Sequence, residues 1–507
     1  MPGNPRPRTV TGVRLGDLAV RLAVDLPADA ATVVVTGATH ASREVHPGDL
    51  YAALPGARRH GAEFAADAAE AGAVALLTDP AGAQLAAGSG LPALVVADPR
   101  AVLGELASAV YGDPTEGLTV IGVTGTAGKT STAYLVESGL RAAGHTTGLI
   151  GTVETRLGDL VIDSVRTTPE ATDLHAMLAT ARERGVTAVV MEVSSHALAM
   201  GRVGGVRFAV GGYTNFGSDH LDFHADRDDY FAAKAQLFDG RCAVEVLNDD
   251  DPALKPLHKP ATVTYSAAGD QGATWWADGV GGEGYAQRFT AHGPNGVALS
   301  AGVALPGRHN VANALLAIAA LVGAGVDPAI AADGVAACGG VPGRLELVDS
   351  VGPVRGVVDY AHKSDAIVAA LAALRELSVG RLICVIGAGG DRDRGKRPVM
   401  GAAAAEGADV VLVTDDNPRT EDPAEIRAEV LAGAYGAATA ARIIEVAGRR
   451  AAIDEAVRLA EPGDVIALLG KGHERGQEVA GEVFPFDDNV ELADALRTRF
   501  SDPAGQR

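Results

Sequence analysis

Residues 118–130 read LTVIGVTGTAGKT, an apolar run followed at once by a glycine loop that ends in Lys129 and Thr130. The run Leu118–Val123 has the continuous hydrophobicity of a buried parallel strand, and the residues after the loop have helical spacing. In such a strand–loop–helix unit, backbone N–H groups point into the loop and the helix N-terminus adds partial positive charge. The segment therefore predicts a phosphate-binding loop in which Lys129 reaches terminal phosphates and Thr130 or Ser131 offers a hydroxyl to Mg²⁺.

The loop does not follow the longer pattern G-x-x-x-x-G-K-[ST], because Val123 stands where that pattern requires glycine. A shorter form, G-T-x-G-K-T, is made by Gly125, Thr126, Ala127, Gly128, Lys129 and Thr130. The alternative interpretation is a plain glycine turn with a solvated lysine. The order of strand, loop, lysine, hydroxyl residues and helix favours a nucleotide site over that alternative.

Strand and helix patterns alternate on both sides of this loop, which predicts an α/β fold. Further strands are predicted at Ala31–Val35, Leu50–Ala53, Ala73–Thr78, Ala93–Val96, Thr187–Val193, Phe208–Tyr213, Val244–Asn248, Arg381–Ile386, Val410–Thr414 and Asp464–Leu469. Residues 270–296 predict loop and short β-structure. Gly and Pro at 111–117 and 339–343 mark breaks. We expect three domains: an N-terminal α/β domain (1–113), a central doubly wound sheet like those of P-loop ATPases (114–341) and a Rossmann-like C-terminal domain (342–507).

Composition and charge exclude several classes of protein. The chain has 507 residues and a formal net charge of −21, which argues against a nucleic-acid binder that needs a basic surface. Its three cysteines, Cys242, Cys338 and Cys384, form no CxxC pair, so we expect buried small side chains rather than disulfides or a zinc site. No signal-peptide core and no apolar run of membrane-spanning length is found. We expect a cytoplasmic monomer that neither binds nucleic acid nor inserts into membranes.

Several motifs follow the glycine loop in a fixed order. They are Glu192–His196, Asn215–His224, Tyr230–Lys234, Asn248–Pro252, Gly307–Asn313, Gly343–Glu346 and Asp359–His362. Together with the short glycine loop, this ordered set resembles the Mur ligases and their relatives, the folylpolyglutamate synthetases. The resemblance covers nearly the whole chain.

Three motifs near the C-terminus resemble those of Mur ligases that add diaminopimelate: Gly389–Pro398, Asp416–Arg419 and Gly470–Glu474. The resemblance implies an ATP-dependent amide ligase that joins diaminopimelate to UDP-N-acetylmuramoyl-L-alanyl-D-glutamate through an acyl phosphate. Such an enzyme closes around its substrates, with catalysis between domains. Its cofactors would be ATP and Mg²⁺.

Roles in ATP and metal binding follow from the same resemblance. Lys129, Glu192, His220 and Lys234 match catalytic positions, and Lys234 matches a lysine that carbon dioxide carbamylates. Metal binding is implied for Thr130, Glu192, His220 and carbamylated Lys234, although a hard cation prefers the oxygens of Glu192 to a histidine nitrogen. Besides Gly125–Ser131, the nucleotide-binding positions would be Asn310, Asn313, Arg344 and Asp359. A capping or helix-surface role is the alternative for the two asparagines.

The two other substrates are matched by further residues. Positions for the uridine nucleotide and its peptide are Ser42, Ala57, Arg58, Arg59, Thr167, Thr168, Ser194, Met200 and Arg202, and those for diaminopimelate are Arg392, Asp416, Asn417, Arg419, Gly470 and Glu474. Arg419 would grip the distal carboxylate and Glu474 would pair with the ammonium. The chain departs from the family pattern at His40-Ala41, Met200 and Lys363-Ser364.

Two other functions are considered. One is a related ligase, such as an enzyme that adds lysine, adds alanine or extends folate with glutamate. A lysine-adding enzyme would leave Arg419 a buried cation without a carboxylate, at substantial cost. The other is a non-catalytic nucleotide-binding switch, which the presence of Glu192, His220 and Lys234 argues against.

Overall fold

A computed structural model describes residues 5–349 and 352–500. By their contacts the residues group into two compact units, Met1–Tyr265 with Leu316–Gly334, and Ser266–Leu315 with Val335–Arg507. The predicted α/β class is confirmed, and the three-domain boundaries stay a prediction.

The N-terminal part of the first unit is built on a small parallel sheet. Its elements are β1 (Val13–Arg14), α1 (Leu15–Leu22), β2 (Val34–Val35), β3 (Gly37–Thr39), β4 (Asp49–Ala52), α2 (Ala65–Glu70), β5 (Ala75–Thr78), α3 (Pro80–Leu85), β6 (Ala93–Val95) and α4 (Pro99–Val110). Strands β3, β4, β5 and β6 lie side by side and run parallel. Leu50, Leu77 and Leu94 are fully buried in the core of this sheet.

The predicted strand at Ala31–Val35 is largely wrong. A 3₁₀ turn covers Ala30–Thr32 and leaves only the two-residue strand β2. The Thr32 hydroxyl donates to the carbonyl oxygen of Asp29 at 3.0 Å. Such a side-chain bond to the backbone offers the chain an alternative to a sheet ladder, so the polar Thr32 outweighs the strand propensity of its apolar neighbours.

The rest of the first unit is centred on the strand that precedes the glycine loop. Its elements are β7 (Thr119–Thr124), α5 (Lys129–Ala142), β8 (Thr147–Ile150), β9 (Glu154–Leu157), β10 (Leu160–Asp163), α6 (Ala171–Glu183), β11 (Ala188–Glu192), α7 (Ser195–Ala199), β12 (Phe208–Tyr213), α8 (Arg227–Ala235), β13 (Cys242–Asn248) and β14 (Val263–Ser266). The strand order is β10-β9-β8-β11-β7-β12-β13-β14. All six strands from β8 to β14 in that order are parallel, so the carboxyl ends of β7, β11 and β12 meet at one edge.

An antiparallel meander begins the second unit. It consists of β15 (Trp275–Glu283), β16 (Ala286–His292) and β17 (Ala298–Val303), and α9 (Arg308–Gly323) and α10 (Pro328–Ala336) follow it. The first two strands are longer than the short β-structure expected at 270–296. The Trp276 and His292 rings stack with centroids 3.7 Å apart, which secures this pairing.

The C-terminal part of the second unit has a sheet of the predicted doubly wound type. Its elements are β18 (Glu346–Leu347), β19 (Arg355–Asp359), α11 (Ser364–Arg375), β20 (Leu382–Ile386), α12 (Lys396–Gly407), β21 (Val410–Val413), α13 (Pro423–Gly436), β22 (Arg442–Glu445), α14 (Arg449–Leu459), β23 (Val465–Leu469), β24 (Gly476–Val479), β25 (Glu482–Pro485) and α15 (Asp488–Phe500). The strand order is β18-β19-β23-β20-β21-β22, and only β18 is antiparallel. Strands β24 and β25 form a separate hairpin.

The three cysteine side chains are buried, as expected. All three cysteines are free and buried, and burial raises the pKa of the Cys242 and Cys384 thiols to about 12. Among residues 5–349 and 352–500, no helix combines the length and hydrophobicity needed to cross a bilayer.

Candidate functional site

The glycine loop runs from the end of β7 into α5 with two residues in the left-handed region. Gly125 has φ 144° and Gly128 has φ 84°. A Cβ added to Gly125 would overlap the Thr214 hydroxyl oxygen, so only glycine fits there. Asn215 holds the loop from β12, since its carbonyl accepts from the Thr126 N–H at 2.8 Å and its Oδ1 accepts from the Ala127 N–H at 3.0 Å. The loop is therefore braced by the chain that follows the neighbouring strand.

Two lysine ammonium groups converge on this loop. Lys129 Nζ donates to the carbonyl oxygen of Gly125 at 2.8 Å and to that of Thr126 at 3.1 Å. Lys234 Nζ, at the end of α8, donates to the same Gly125 oxygen at 2.8 Å and lies 4.7 Å from the centre of the Tyr230 ring. Lys234 is only 1% exposed. Two like charges thus meet at one carbonyl oxygen, an arrangement that is unfavourable in a buried site unless anionic groups compensate it.

Glu192, the last residue of β11, lies beside the start of α5. Its Oε2 accepts from the Thr130 hydroxyl at 3.1 Å, and its Oε1 accepts from the Thr152 N–H at 2.7 Å. A Cβ at Gly151 would lie 2.6 Å from Oε1, so glycine is needed for the carboxylate to fit. Ser131 is buried next to Thr130 on α5. The hydroxyl and carboxylate form a pair of oxygen donors, the ligand type that Mg²⁺ prefers.

His220, the third predicted metal ligand, lies in a histidine cluster. Its backbone has φ 54°, its Nε2 lies 3.1 Å from Asp219 Oδ2, and its ring packs edge-on against His196 at 4.6 Å. Burial lowers the pKa of His196, and the neighbouring His224 lowers it further, so His196 is neutral at pH 7. His224 is buried, and its Nδ1 lies 3.2 Å from Asp229 Oδ2.

Tyr230 joins these parts of the site, although no role was predicted for it. Its hydroxyl lies 3.1 Å from the Thr126 hydroxyl, and its ring packs against His220 and Lys234. Burial raises its pKa, so the phenol stays protonated. Its place one helical turn before Lys234 was the available signal, because residues four apart share a helix face.

A row of hydroxyl groups extends from Glu192 toward the predicted peptide-binding residues. The Thr152 hydroxyl lies 3.0 Å from the Thr167 hydroxyl. The Thr168 hydroxyl donates to the Glu192 carbonyl oxygen at 2.9 Å and accepts from the Ser194 N–H at 3.1 Å. Thr167, Thr168 and Ser194 are thus brought together beside the carboxylate, and their role in peptide binding stays a prediction.

Arg202 completes this row on its far side. Its Nη2 lies 2.7 Å from Glu170 Oε1, and Nη1 donates to the Thr168 carbonyl oxygen at 3.4 Å. Met200, where the family pattern often has glutamine, places its sulfur 3.3 Å from Nη2 of the same arginine. Arg100 Nη1 also lies 3.5 Å from Glu170. An anionic peptide bound here would contact Arg100 and Arg202, which both pair with Glu170.

The residues predicted for the uridine nucleotide lie on the N-terminal sheet. Ala57, Arg58 and Arg59 form an exposed loop after β4. Arg59 already has partners, since its Nη2 lies 2.7 Å from Glu63 and its guanidinium stacks 4.5 Å from the Phe64 ring. Ser42, in a 3₁₀ turn between β3 and β4, is partly buried.

In the second unit, Asn310 and Asn313 bond to each other at the start of α9. Asn310 Nδ2 donates to the Pro306 carbonyl oxygen at 2.8 Å, and its Oδ1 accepts from Asn313 Nδ2 at 3.1 Å. Both side chains are buried. These bonds join the two side chains to each other and to the turn before α9, and they fix the groups that the nucleotide prediction uses.

Asp359, at the end of β19, has both carboxylate oxygens bound to the backbone. They accept from the N–H groups of Leu345 and Ala361, each at 2.7 Å. Burial raises the Asp359 pKa above the ordinary carboxyl value, while Arg344 and the two N–H groups oppose the rise. Arg344 itself stacks 4.6 Å from the centre of the Tyr360 ring. The pair predicted for the nucleotide is therefore adjacent and held in place.

The predicted amine site is organised by Lys471, a residue to which the sequence analysis gave no role. Its side chain is 0% exposed, and Nζ donates to Asn417 Oδ1 at 3.1 Å, to Glu474 Oε2 at 3.4 Å and to the Gly476 carbonyl oxygen at 2.6 Å. Asn417 Nδ2 in turn donates to Glu474 Oε2 at 2.8 Å. The ammonium uses all three donors, which fixes both the Asn417 amide and the Glu474 carboxylate.

Gly470 and Asp416 form the floor of the same cluster. Gly470 has φ 112°, and a Cβ there would lie 2.8 Å from Asp416 Oδ2. Asp416 Oδ1 accepts from the Asn417 N–H at 2.8 Å. Both residues therefore shape the loops that carry Asn417 and Lys471.

Arg419 has a protein carboxylate partner that the sequence analysis did not include. Its Nε donates to Glu478 Oε2 at 3.0 Å and its Nη1 to the Gly390 carbonyl oxygen at 2.7 Å. The side chain is 21% exposed. Contrary to the expectation from the sequence, Arg419 would not be a bare buried cation in a lysine-adding enzyme, because Glu478 neutralises it without any substrate. Arg392, on the neighbouring loop, is exposed.

Three family models match the chain in succession. They are described as "Mur ligase family, catalytic domain" at residues 34–111, "Mur ligase middle domain" at 123–321 and "Mur ligase, glutamate ligase domain" at 343–472.

Curated proteins and solved structures give the same result. The chain is 54% identical to a UDP-N-acetylmuramoyl-L-alanyl-D-glutamate–2,6-diaminopimelate ligase of Streptomyces coelicolor, over 98% of this chain and 99% of that protein. It is 48% identical to the ligase of the same name from Corynebacterium glutamicum, over 89% of this chain and 90% of the relative. A solved structure of such a ligase aligns with a TM-score of 0.70 and 30% identity, covering 96% of this chain and 99% of that one.

Proposed function

The chain belongs to the Mur ligase family, and from that premise we propose how its residues carry out an ATP-dependent ligation. Its function is that of its relatives: it adds diaminopimelate to UDP-N-acetylmuramoyl-L-alanyl-D-glutamate in peptidoglycan precursor synthesis. The observation that supports the chemistry best is the convergence of Lys129, Lys234 and the Thr130–Glu192 pair at the carboxyl ends of β7 and β11. We place this reaction in the cytoplasm.

The reaction has two steps in this proposal. The terminal phosphoryl group of ATP is transferred to the glutamate carboxylate, which breaks the bond to ADP and forms an acyl phosphate. The amine of diaminopimelate then attacks the acyl carbon, phosphate leaves, and the nitrogen loses a proton. Lys129 turns from its own loop toward the transferred group, where a cation stabilises the spread charge.

Magnesium would be held by oxygen donors next to the glycine loop. The Thr130 hydroxyl and Glu192 carboxylate fit a hard cation, with His220 as a further ligand. Carbamylation of Lys234 would add carbon dioxide to its neutral amine, release a proton and supply a third oxygen ligand. It would also replace one of the two cations at the Gly125 carbonyl with an anion. When bound, Mg²⁺ neutralises phosphate charge.

The amine substrate is assigned to the cluster around Lys471. Glu474 would pair with an ammonium group of diaminopimelate, and Arg419 with the distal carboxylate. Asp416, Asn417 and Gly470 shape the loops between them, and Arg392 is a further contact. ATP binding is further assigned to Asn310, Asn313, Arg344 and Asp359, with Asp359 at the ribose hydroxyls and Arg344 at a phosphate.

The function is tested by offering each amine to the purified protein. With ATP, Mg²⁺ and UDP-N-acetylmuramoyl-L-alanyl-D-glutamate, we expect phosphate release to be absent without an amine and much faster with diaminopimelate than with lysine, with the meso and LL isomers assayed separately. Phosphate release only with a folate acceptor would refute the assignment, and a preference for lysine would overturn the role given to Arg419. A protein that binds ATP without amine-dependent turnover would be the non-catalytic switch.

Replacing Lys471 with Met should weaken binding of the amine selectively. The change removes three hydrogen bonds and leaves Asn417 Oδ1 and Glu474 without their cation, and one lost charged hydrogen bond is already worth roughly tenfold. We expect the KM for diaminopimelate to rise at least about tenfold, with the KM for ATP nearly unchanged. A rise in both KM values together with a lower melting temperature would indicate general unfolding instead.

A further inference from the structure

Glu478 lies on the first strand of the β24–β25 hairpin, where it is bonded to Asn417 and Arg419 of the proposed amine site. Its N–H donates to Asn417 Oδ1 at 2.9 Å, and its carbonyl oxygen accepts from the Arg419 N–H at 3.0 Å. Its carboxylate accepts from Arg419 Nε at 3.0 Å. The Arg419 carbonyl oxygen in turn accepts from the N–H of Ala480 on the same hairpin. Backbone bonds on both sides of Glu478 therefore fix the position from which its side chain extends.

This carboxylate occupies one edge of the Arg419 guanidinium. The bonds to Glu478 and to the Gly390 carbonyl use N–H groups on Nε and Nη1, and a guanidinium has five such groups. A substrate carboxylate at the remaining N–H groups would sit beside a second anion. Repulsion between two carboxylates that share a cation lowers the affinity for the second one.

Glu478 has the opposite effect on the binding of an amine that lacks a distal carboxylate. With lysine bound, Arg419 would still be paired with the Glu478 carboxylate, and that pairing prevents the cost of an unpaired, partly buried cation. Glu478 therefore lowers the affinity for diaminopimelate, which carries the distal carboxylate. For lysine, which lacks that carboxylate, Glu478 removes the cost of leaving Arg419 unpaired.

We propose that Glu478 is a specificity-determining residue that narrows the preference for diaminopimelate over lysine by competing for Arg419. This inference rests on the proposed function, since it assumes that Arg419 meets the distal carboxylate. Glu478 acts on amine selectivity through its charge next to Arg419.

The test is the isosteric Glu478→Gln variant of the full-length enzyme, assayed with diaminopimelate and with lysine. Glutamine keeps a hydrogen-bond acceptor for Arg419 Nε and removes the charge. We expect the KM for diaminopimelate to fall by up to about fivefold, the range for partly exposed ion pairs, and the KM for lysine to stay equal or rise. The Glu482→Gln variant is the matched control, because Glu482 is exposed on the same hairpin, at β25. It loses the same charge and should leave both KM values unchanged.

The possible outcomes distinguish failure of this inference from failure of the proposed function. An unchanged or raised KM for diaminopimelate in Glu478→Gln, with normal turnover, overturns the inference and leaves the proposed function intact. Equal shifts in the Glu478 and Glu482 variants would show a general charge effect and also overturn it. Absence of amine-dependent turnover in the unmodified enzyme would refute the proposed function itself. A similar melting temperature for both variants verifies that the hairpin is folded.

Discussion

Replacing Lys234 with Ala is expected to lower kcat by at least about 100-fold, the loss seen when one preorganised charged group is removed from a transition state. Lys234 is buried, and its Nζ donates to the Gly125 carbonyl oxygen at 2.8 Å. In the carbamylated form proposed above, it would be an oxygen ligand beside Glu192. Short-chain acids such as formate or acetate should therefore restore part of the rate, and phosphate release with diaminopimelate measures both effects.

Lys255→Ala provides the matched control for this experiment. Lys255 belongs to the same compact unit but is half exposed, with its Nζ 2.6 Å from Asp249. The variant loses the same charge and should keep nearly full activity, since exposed ion pairs contribute little. Full activity of Lys234→Ala would refute the catalytic role. A loss of activity that no acid rescues would leave Lys234 as a structural cation of the loop.

Replacing Gly125 with Ala is expected to lower ATP-dependent turnover about as much as the Lys234→Ala change. The added Cβ overlaps the Thr214 hydroxyl oxygen, and φ 144° is unfavourable for any L side chain. The loop must shift by a fraction of an ångström or more, and displacements of about 1 Å near reacting groups cost about 100-fold in rate. The Gly125 carbonyl that receives Lys129 and Lys234 would move with it. Nucleotide binding by isothermal titration and phosphate release are the measurements.

Gly144→Ala separates backbone strain from loss of the loop. Gly144 follows the end of α5 with φ 86°, and a Cβ there meets no heavy atom within 4 Å. This variant bears a comparable left-handed strain of about 1–2 kcal/mol without touching the loop, so its melting temperature should fall while ATP binding persists. Normal ATP binding by Gly125→Ala would contradict the assigned role of the loop.

Most of the first unit could be predicted because its signals are local. The continuous hydrophobicity of β7, β11 and β12 identifies buried parallel strands, and parallel strands bring residues at their carboxyl ends together. The meeting of Thr130 with Glu192, which are 62 positions apart, follows from that rule. Where a side-chain bond competes with the strand, as at Thr32, local hydrophobicity misleads.

The amine site could be predicted only in part, since its partners come from a hairpin with weak patterning. Asn417, Arg419 and Glu474 lie in compact motifs, whereas Glu478 lies on a short, half-buried strand whose register no periodicity specifies. Its pairing with Arg419 depends on the fold placing β24 beside residue 419. Lys471 lies within the Gly470–Glu474 motif, but the motif alone does not show that it is buried. Its burial, which makes it an organising cation, is a property of tertiary structure.

The Asn417 amide has consequences for how such an enzyme changes its preferred amine during evolution or in the laboratory. Its oxygen is bound by Lys471 and by the Glu478 backbone, while its nitrogen is bound by Glu474. A mutation of Lys471, Asn417 or Glu474 leaves the others with unmatched donors or acceptors. Lineages that switch amine should therefore replace several positions of the two loops and the hairpin together, and a grafted hairpin with its loops is a better starting point for redesign than any single substitution.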